Sequence, residues 1–394
     1  MIVKPESFVN LKRLISDPAY VESNFLTVRK MKDLFIIKYD KSKITLENQY
    51  TLGLFRSIIC DSEGKIICFA PPKSIDFDCF SQTTKYEECL FQEFMEGTMI
   101  NIFWDPTIND WNIATRSNIG ARCKFNLDKD ETFRYMFLDA CNHTGFEFYD
   151  LEKQYCYSLV LQHPKNRIVV PIINPEIYMV KKYICHDDNS VEEVTFSKED
   201  KEKFNVVRNI ESIGNTWNDM MEYFSSDNLD YIIQGIVMVN KSTGERSKFR
   251  SKNYEKVKHL KGNSPKMQHH YYHLRQKRIV NDFLHYYPEY RQLFKDMRSN
   301  LHDYTNQLYK NYVDCFIKKT KPLREFPYNF KNHMFHLHEK YIDDLKPNHK
   351  YVTKYVVMTY VNNLPPPRLM YSVNYQFRKH DRDVVVADGF NSNI

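Results

Sequence analysis

Short apolar runs separated by polar turns fill the first two thirds of the chain. Runs at 34–39, 57–60, 65–69, 99–104, 111–115, 157–161, 167–173 and 231–239 have the length and branched or aromatic character of strands. Asp61-Ser-Glu-Gly64 sits between two of them as a hairpin turn, and a polar turn at 105–110 separates another pair. The segment "QEFMEGTMINIFWD", Gln92 to Asp105, reads as a strand, a tight bend at Glu96-Gly97-Thr98 and a second strand. Helical spacing is confined to 130–142 and 206–224. The pattern predicts an α+β fold dominated by antiparallel hairpins.

The texture changes near Gly262-Asn-Ser-Pro265. Beyond it Tyr290, Leu293, Phe294, Met297, Leu301, Tyr304, Leu308, Tyr312 and Phe316 recur at three- and four-residue steps, one apolar stripe of a helix. A further helical run, 351–362, meets a stop at Leu364-Pro-Pro-Pro367. The expected organisation is an α+β domain at 1–262, an all-helical domain at 265–377 and a loose polar tail at 378–394.

Composition narrows the class. The 394 residues are 42% hydrophobic, 27% charged and 15% aromatic, as in a soluble folded chain. Glycine is scarce, at 10 residues, and neither G-x-G-x-x-G nor a Walker loop occurs. Nine scattered cysteines without a C-x-x-C pair predict reduced thiols in a cytoplasmic compartment. The start, MIVKPESFVNLKRL, lacks an apolar core of signal-peptide length, and no run suits a membrane span. Net charge is a mild +6, but it is unevenly placed. Between Arg246 and Arg278 eleven Lys or Arg face one acid, Glu255, with Tyr254, Tyr271 and Tyr272 interleaved. Such a stripe suits phosphates, and tyrosines can stack on bases.

An ordered set of short motifs across 50–262 resembles the covalent nucleotidyltransferases, most closely RNA ligases of the phage tRNA-repair type and their large-DNA-virus copies. Phe55-Arg56-Ser-Ile-Ile59 resembles the family's arginine-bearing strand, and "GKIICFAPPKSIDF" resembles the segment after it, keeping Lys73. Phe94-Met95-Glu96-Gly97-Thr98 stands where the family has K-x-D-G-S. Ala114-Thr-Arg116-Ser-Asn118 matches A-T-R-G-S. The stretch Leu159-Val160 through Pro164, Asn166 and Arg167 to Val169 matches the third motif. Gln234-Gly235-Ile-Val237 matches E-G-hydrophobic-V, and Lys248-Phe249-Arg250 matches K-x-K.

The resemblance implies an antiparallel-sheet ligase-like domain whose lysine attacks the α-phosphate of ATP or GTP. Phe94, at the nucleophile position, has no lone pair for that attack. Val160 and Gln234 replace glutamates that the family uses for ribose and metal contacts, and neither is a good ligand for Mg²⁺. Gly97, Pro164, Asn166, Arg167 and Gly235, which shape the backbone, remain.

The expectation is therefore a pseudoenzyme with no catalytic residue and no cofactor. It would hold an RNA 5′ end, an mRNA cap or a nucleotide through Arg56, Lys73, Phe94, Glu96, Arg116, Lys248, Arg250, Lys252 and Tyr254. Phe94 is either a stacking platform or a core side chain filling the vacated space. Trp104 and Trp111 are either platforms or the hydrophobic face of their sheet. Lys38-Tyr-Asp-Lys-Ser42 imitates the nucleophile motif out of order; Lys73 and Lys85 could reach the pocket but restore no carboxylate. His269, His270 and His273, and His333, His336 and His338, lack acidic or cysteine partners at zinc spacing. The alternatives are an active ligase with a displaced lysine, using ATP and Mg²⁺, and a structural subunit of a viral or RNA-processing assembly. The helical domain is expected to add RNA or protein contacts, in a cytoplasm (the host's if viral), with no membrane.

Overall fold

Strand Tyr155–Gln162 is buried on both faces, and that sets the architecture around it. In the computed structural model, which describes residues 2–124, 131–211 and 213–375, it lies at the centre of a seven-stranded sheet. Thr98–Asp105 pairs along one edge and Glu176–Cys185 along the other, both antiparallel. Side chains alternate between faces along a strand. Adjacent Ile102 and Phe103 accordingly enter different cores. One core packs against helix Phe133–Thr144. The other packs against a four-stranded sheet of Leu26–Met31, Leu34–Tyr39, Ile58–Cys60 and Ile66–Phe69.

A third sheet has three strands, Arg246–Arg250, Gly235–Asn240 and Cys89–Glu93, in that order. Its core holds Phe80 and Phe224 from helices Phe77–Thr83 and Trp217–Ser225. Among the described residues every ladder is antiparallel. The chain divides into two compact units, Met1–Lys261 and Gly262–Ile394. The second is helical over Met267–Gln276, Val280–Tyr286, Arg291–Tyr312, Tyr328–Lys340, Lys354–Asn362 and Pro366–Val373. The fold is α+β with a helical C-terminal region.

Three sequence expectations are corrected. No strand forms at 167–173. Pro164, Pro171 and Pro175 lack donors, and the N–H groups of Val169 and Val170 go to the Glu96 side chain instead of a ladder. Glu176–Cys185 takes that place in the sheet. The stretch expected as helix 206–224 is helical only at Trp217–Ser225, where Thr216 supplies a capping box. Ahead of it, Val207 N–H donates to Met179 O at 2.9 Å and Ile210 N–H to Phe91 O at 3.0 Å, so those donors serve sheets. The helix ahead of the prolines at 365–367 ends at Asn362, as expected. Pro366 opens a helix, where its missing N–H costs nothing. Leu293, placed in the apolar stripe, is 41% exposed. The expected tail 378–394, Asp130 and Ser212 lie outside the described residues.

Candidate functional site

The segment that looks like a hairpin in sequence is a crossing between sheets. Cys89–Glu93 belongs to the three-stranded sheet and Thr98–Asp105 to the seven-stranded one, so residues 94–97 bridge them. Two contacts fix the bridge. Gly97 has φ +154°, and a Cβ there would lie 2.4 Å from Leu161 O and 2.5 Å from Val160 Cγ1. Only glycine fits that approach. Glu96, 3% exposed, accepts from the Val169 and Val170 N–H groups at 3.0 Å and from the Tyr254 hydroxyl. Burial outweighs these bonds and holds its carboxyl above the usual range.

The crossing leaves a cavity of about 270 Å³ bounded by Phe94, Glu96, Val160, Gln234, Lys248 and Arg250, among others. Phe94 is half-buried beside it and belongs to no core cluster. Lys248 Nζ lies 5.8 Å, and Arg250 Cζ 5.5 Å, from its ring centroid. Both fall within cation–π range. Gln234 is 9% exposed and its Oε1 has no partner; Nε of Arg246 and of Arg250 are likewise buried and unpaired. A buried polar atom without a partner is costly, so each would gain from a ligand group.

A second cavity of about 620 Å³ adjoins the first and shares Arg56, Ser74 and Lys248 with it. Lys41, Lys73 and Arg116 add positive charge there. Arg116 stacks on Tyr39 at 4.5 Å and donates to Arg56 O at 3.2 Å and Tyr39 O at 3.1 Å, which anchors it to the wall. Lys73 donates only to Ser74 O, at 3.2 Å. Among the described residues no carboxylate ion-pairs with Arg56, Lys73, Arg116, Arg246 or Lys248.

Burial first, and then crowding of like charge, pushes two of these cations down. Arg56 is pushed down to about 10 by burial and then by Arg246. Lys248 is pushed down to about 7 by withdrawal from water and by Arg250, Arg56, Arg246 and Lys258. Lys248 keeps an open flank. Water therefore offsets part of the first cause, while the four cations act in the same direction without it.

The expected site residues thus separate. Arg56, Phe94, Lys248 and Arg250 come together, with Lys73 and Arg116 in the adjoining cavity. Val160 and Gln234 line the wall. Lys252 does not line either cavity; it pairs with Asp227 at 2.8 Å. Tyr254 is 1% exposed with its hydroxyl on Glu96, which removes it from base stacking and leaves Glu96 no free oxygen for a ligand. The basic stretch 246–278 is divided between a strand, helix Lys252–Lys261 and helix Met267–Gln276. Tyr271 and Tyr272 in the last are buried in the helical unit, so this run is no single stacking stripe. Lys38 donates to Ser117 Oγ at 2.8 Å and lines neither cavity. Trp104 and Trp111 face each other edge-on across their hairpin at 5.6 Å.

Arg246, Lys258, Tyr39 and Gln49 line the cavities and were not singled out as site residues. The alternation of Arg246, Lys248 and Arg250 along one strand was the signal for the first.

The donor set does not suit a divalent cation. The carboxylates lining the two cavities are Glu93, Glu96 and Asp76. Glu96 is fully engaged, and Asp76 caps helix Phe77–Thr83 through the Asp78 N–H. A hard ion needs several oxygens, and lone Glu93 stands among cations. Among the described residues no group of three or more His, Cys, Asp or Glu is placed to hold a metal, and no helix is long and apolar enough to cross a membrane. His333, of the expected histidine clusters, is buried between the Tyr360 and Ser372 hydroxyls, each at 2.9 Å.

No family model and no curated protein matches the sequence. Solved structures similar to the chain are nucleic-acid ligases. An ATP-dependent RNA ligase of archaeal origin aligns at 11% identity over 71% of this chain and 69% of its own, TM-score 0.38. A protein from Aquifex aeolicus named as an ATP-dependent DNA ligase aligns at 12% identity over 83% and 79%, TM-score 0.37. An RNA ligase of Naegleria gruberi with pyrophosphate aligns at 11% identity over 55% and 68%, TM-score 0.31.

Proposed function

We propose that the protein is a non-catalytic binder of RNA 5′ ends, cap structures or nucleotides, built on a ligase-like scaffold. The observation that carries this reading is the Phe94 ring beside an open cavity, with Lys248 and Arg250 within 5.8 Å of its centroid. A base laid on that ring gains about 1–3 kcal/mol of stacking. Its polar edge can reach the unpaired Gln234 Oε1, and its phosphates can run toward Arg56, Lys73 and Arg116. Among the described residues Arg56, Lys73 and Arg116 have no carboxylate partner, so a phosphate anion would complete them. Covalent chemistry is outside this reading, because phenylalanine offers no nucleophile and the wall offers no metal ligands. The helical unit is assigned further RNA or protein contacts, and the nine free cysteines suit a cytoplasmic setting.

The test is fluorescence anisotropy with short RNAs carrying a cap, a triphosphate, a monophosphate or a hydroxyl at the 5′ end. Binding that depends on the end group and weakens with salt is expected. Equal binding of all four at moderate salt, or none, defeats the proposal.

One observation favours the rival in which another lysine acts. Lys248, near neutrality at about 7, stands beside the ring that occupies the nucleophile position. Incubation with labelled ATP or GTP and Mg²⁺ separates the two, since a covalent protein–nucleotide adduct would establish the rival.

A further inference from the structure

A third cavity, about 410 Å³, lies behind the second, bounded by the N-terminal residues 2–8, the 49–54 turn, Pro71-Pro72-Lys73 and residues 243–246. One part of its wall is apolar: Phe8, Tyr50, Leu54, Pro71, Pro72 and Ile75. Phe8 and Tyr50 stand 49% and 40% exposed, large apolar surface turned to water beside a pocket. The rest of the wall is polar or charged, with Gln49, Lys73, Lys181, Glu193, Glu245 and Arg246 among it.

Two of those groups lack acceptors. Gln49 is 3% exposed, and its Oε1 accepts the Asp76 N–H at 3.0 Å, which fixes the orientation of the amide. Its Nε2 is then buried with no partner. Arg246 donates through Nη2 to Pro72 O at 2.8 Å and keeps Nε buried and unpaired. Both residues line this cavity. The charges also leave a remainder. Lys4 pairs with Asp188 at 3.0 Å and Lys181 with Glu193. Arg246 and Lys73 have no carboxylate partner among the described residues, and Glu245 has no cation. Two cations against one carboxylate call for a single negative charge.

We propose that this cavity binds an aromatic monocarboxylate, its ring system between Phe8, Tyr50 and the prolines and its carboxylate toward Arg246 and Gln49. The ring supplies the apolar area that the walls lack a partner for, and the carboxylate supplies the acceptors that the two donors lack. A neutral isostere would bring the area without the charge. This cavity shares Gln49 and Lys73 with the second cavity and Arg246 with the first, and differs from both in the Phe8, Tyr50 and proline wall.

Calorimetric titration of the full chain with 2-naphthoate and with neutral 2-naphthamide tests this. Saturable one-to-one binding of the carboxylate is expected, about tenfold tighter than the amide. Phe8→Asp and Tyr50→Asp, both at the exposed mouth, should each weaken it about tenfold, while Phe94→Ala leaves it unchanged. Absence of saturable binding overturns the proposal. So does equal affinity for the two probes, indifference to both mouth substitutions, or loss of binding in Phe94→Ala.

Discussion

The Arg250 guanidinium carbon lies 5.5 Å from the centre of the Phe94 ring, and Glu255 holds the same guanidinium at 3.1 Å. The ring therefore faces a cation whose position is set from behind, on a strand whose alternate residue Lys248 lines the same cavity. A stacking platform needs such support, because a ring free to rotate loses much of the gain on ordering. Phe94→Ala should weaken binding of a 5′-triphosphate RNA by about 1–3 kcal/mol, and Phe94→Trp should keep it, both read by anisotropy. Phe94→Lys alone should give no covalent adduct with labelled ATP, since Val160 and Gln234 supply no carboxylate.

Lys248 titrates within the physiological range, pushed down to about 7. An anion in the cavity favours the charged ammonium, so binding should tighten as pH falls from 8 to 6, by several-fold. Lys248→Met should flatten that dependence. A steep profile surviving in the variant would assign the titration elsewhere.

Lys248 and Lys252 lie four apart, one on strand Arg246–Arg250 and the other at the start of helix Lys252–Lys261, and differ in surroundings. Lys252 faces Asp227, outside the cavities. Lys248→Glu should lower RNA affinity and reduce the salt slope by about 1, whereas Lys252→Glu should change the slope little.

Gly97, in the crossing between sheets, lies against the Val160 and Leu161 segment of the central strand. Gly97→Ala sets a methyl group 2.4 Å from Leu161 O, a contact only backbone movement can relieve. A loss of about 2–3 kcal/mol is expected in denaturant unfolding of the first unit. Gly145→Ala, with open space at its Cβ but φ +70°, should cost less.

His333 is 6% exposed and pushed down to about 4, chiefly by burial, with Arg368 second. Its folded value is below the unfolded one, so the unfolded chain binds the proton more readily. Stability is thus full above about 6.5 and declines as pH falls toward 4, by about 3 kcal/mol in all. His333→Gln should remove most of that dependence from thermal melts between pH 7 and 4.

Strand runs such as 34–39 and 99–104 were legible because period-two or continuous apolar spacing survives any packing. The residue types at 94, 160 and 234 were legible because side-chain chemistry is read directly from the sequence. The helix at 206–224 and the strand at 167–173 were not. Both stretches spend backbone donors on distant partners, Met179 and Phe91 in one case and the Glu96 carboxylate in the other. Nothing local records such a partner.

By itself the sequence determined the alternation that builds antiparallel sheets, the helical C-terminal region and the absence of a nucleophile at Phe94. Tertiary structure decided that "QEFMEGTMINIFWD" crosses between sheets instead of folding back on one. It also decided which basic residues share a cavity, placing Arg56 and Lys248 together and Lys252 apart. Periodicity reports which face of an element is apolar; which faces then meet depends on contacts between residues far apart in the chain, and those form only when the sheets close on one another.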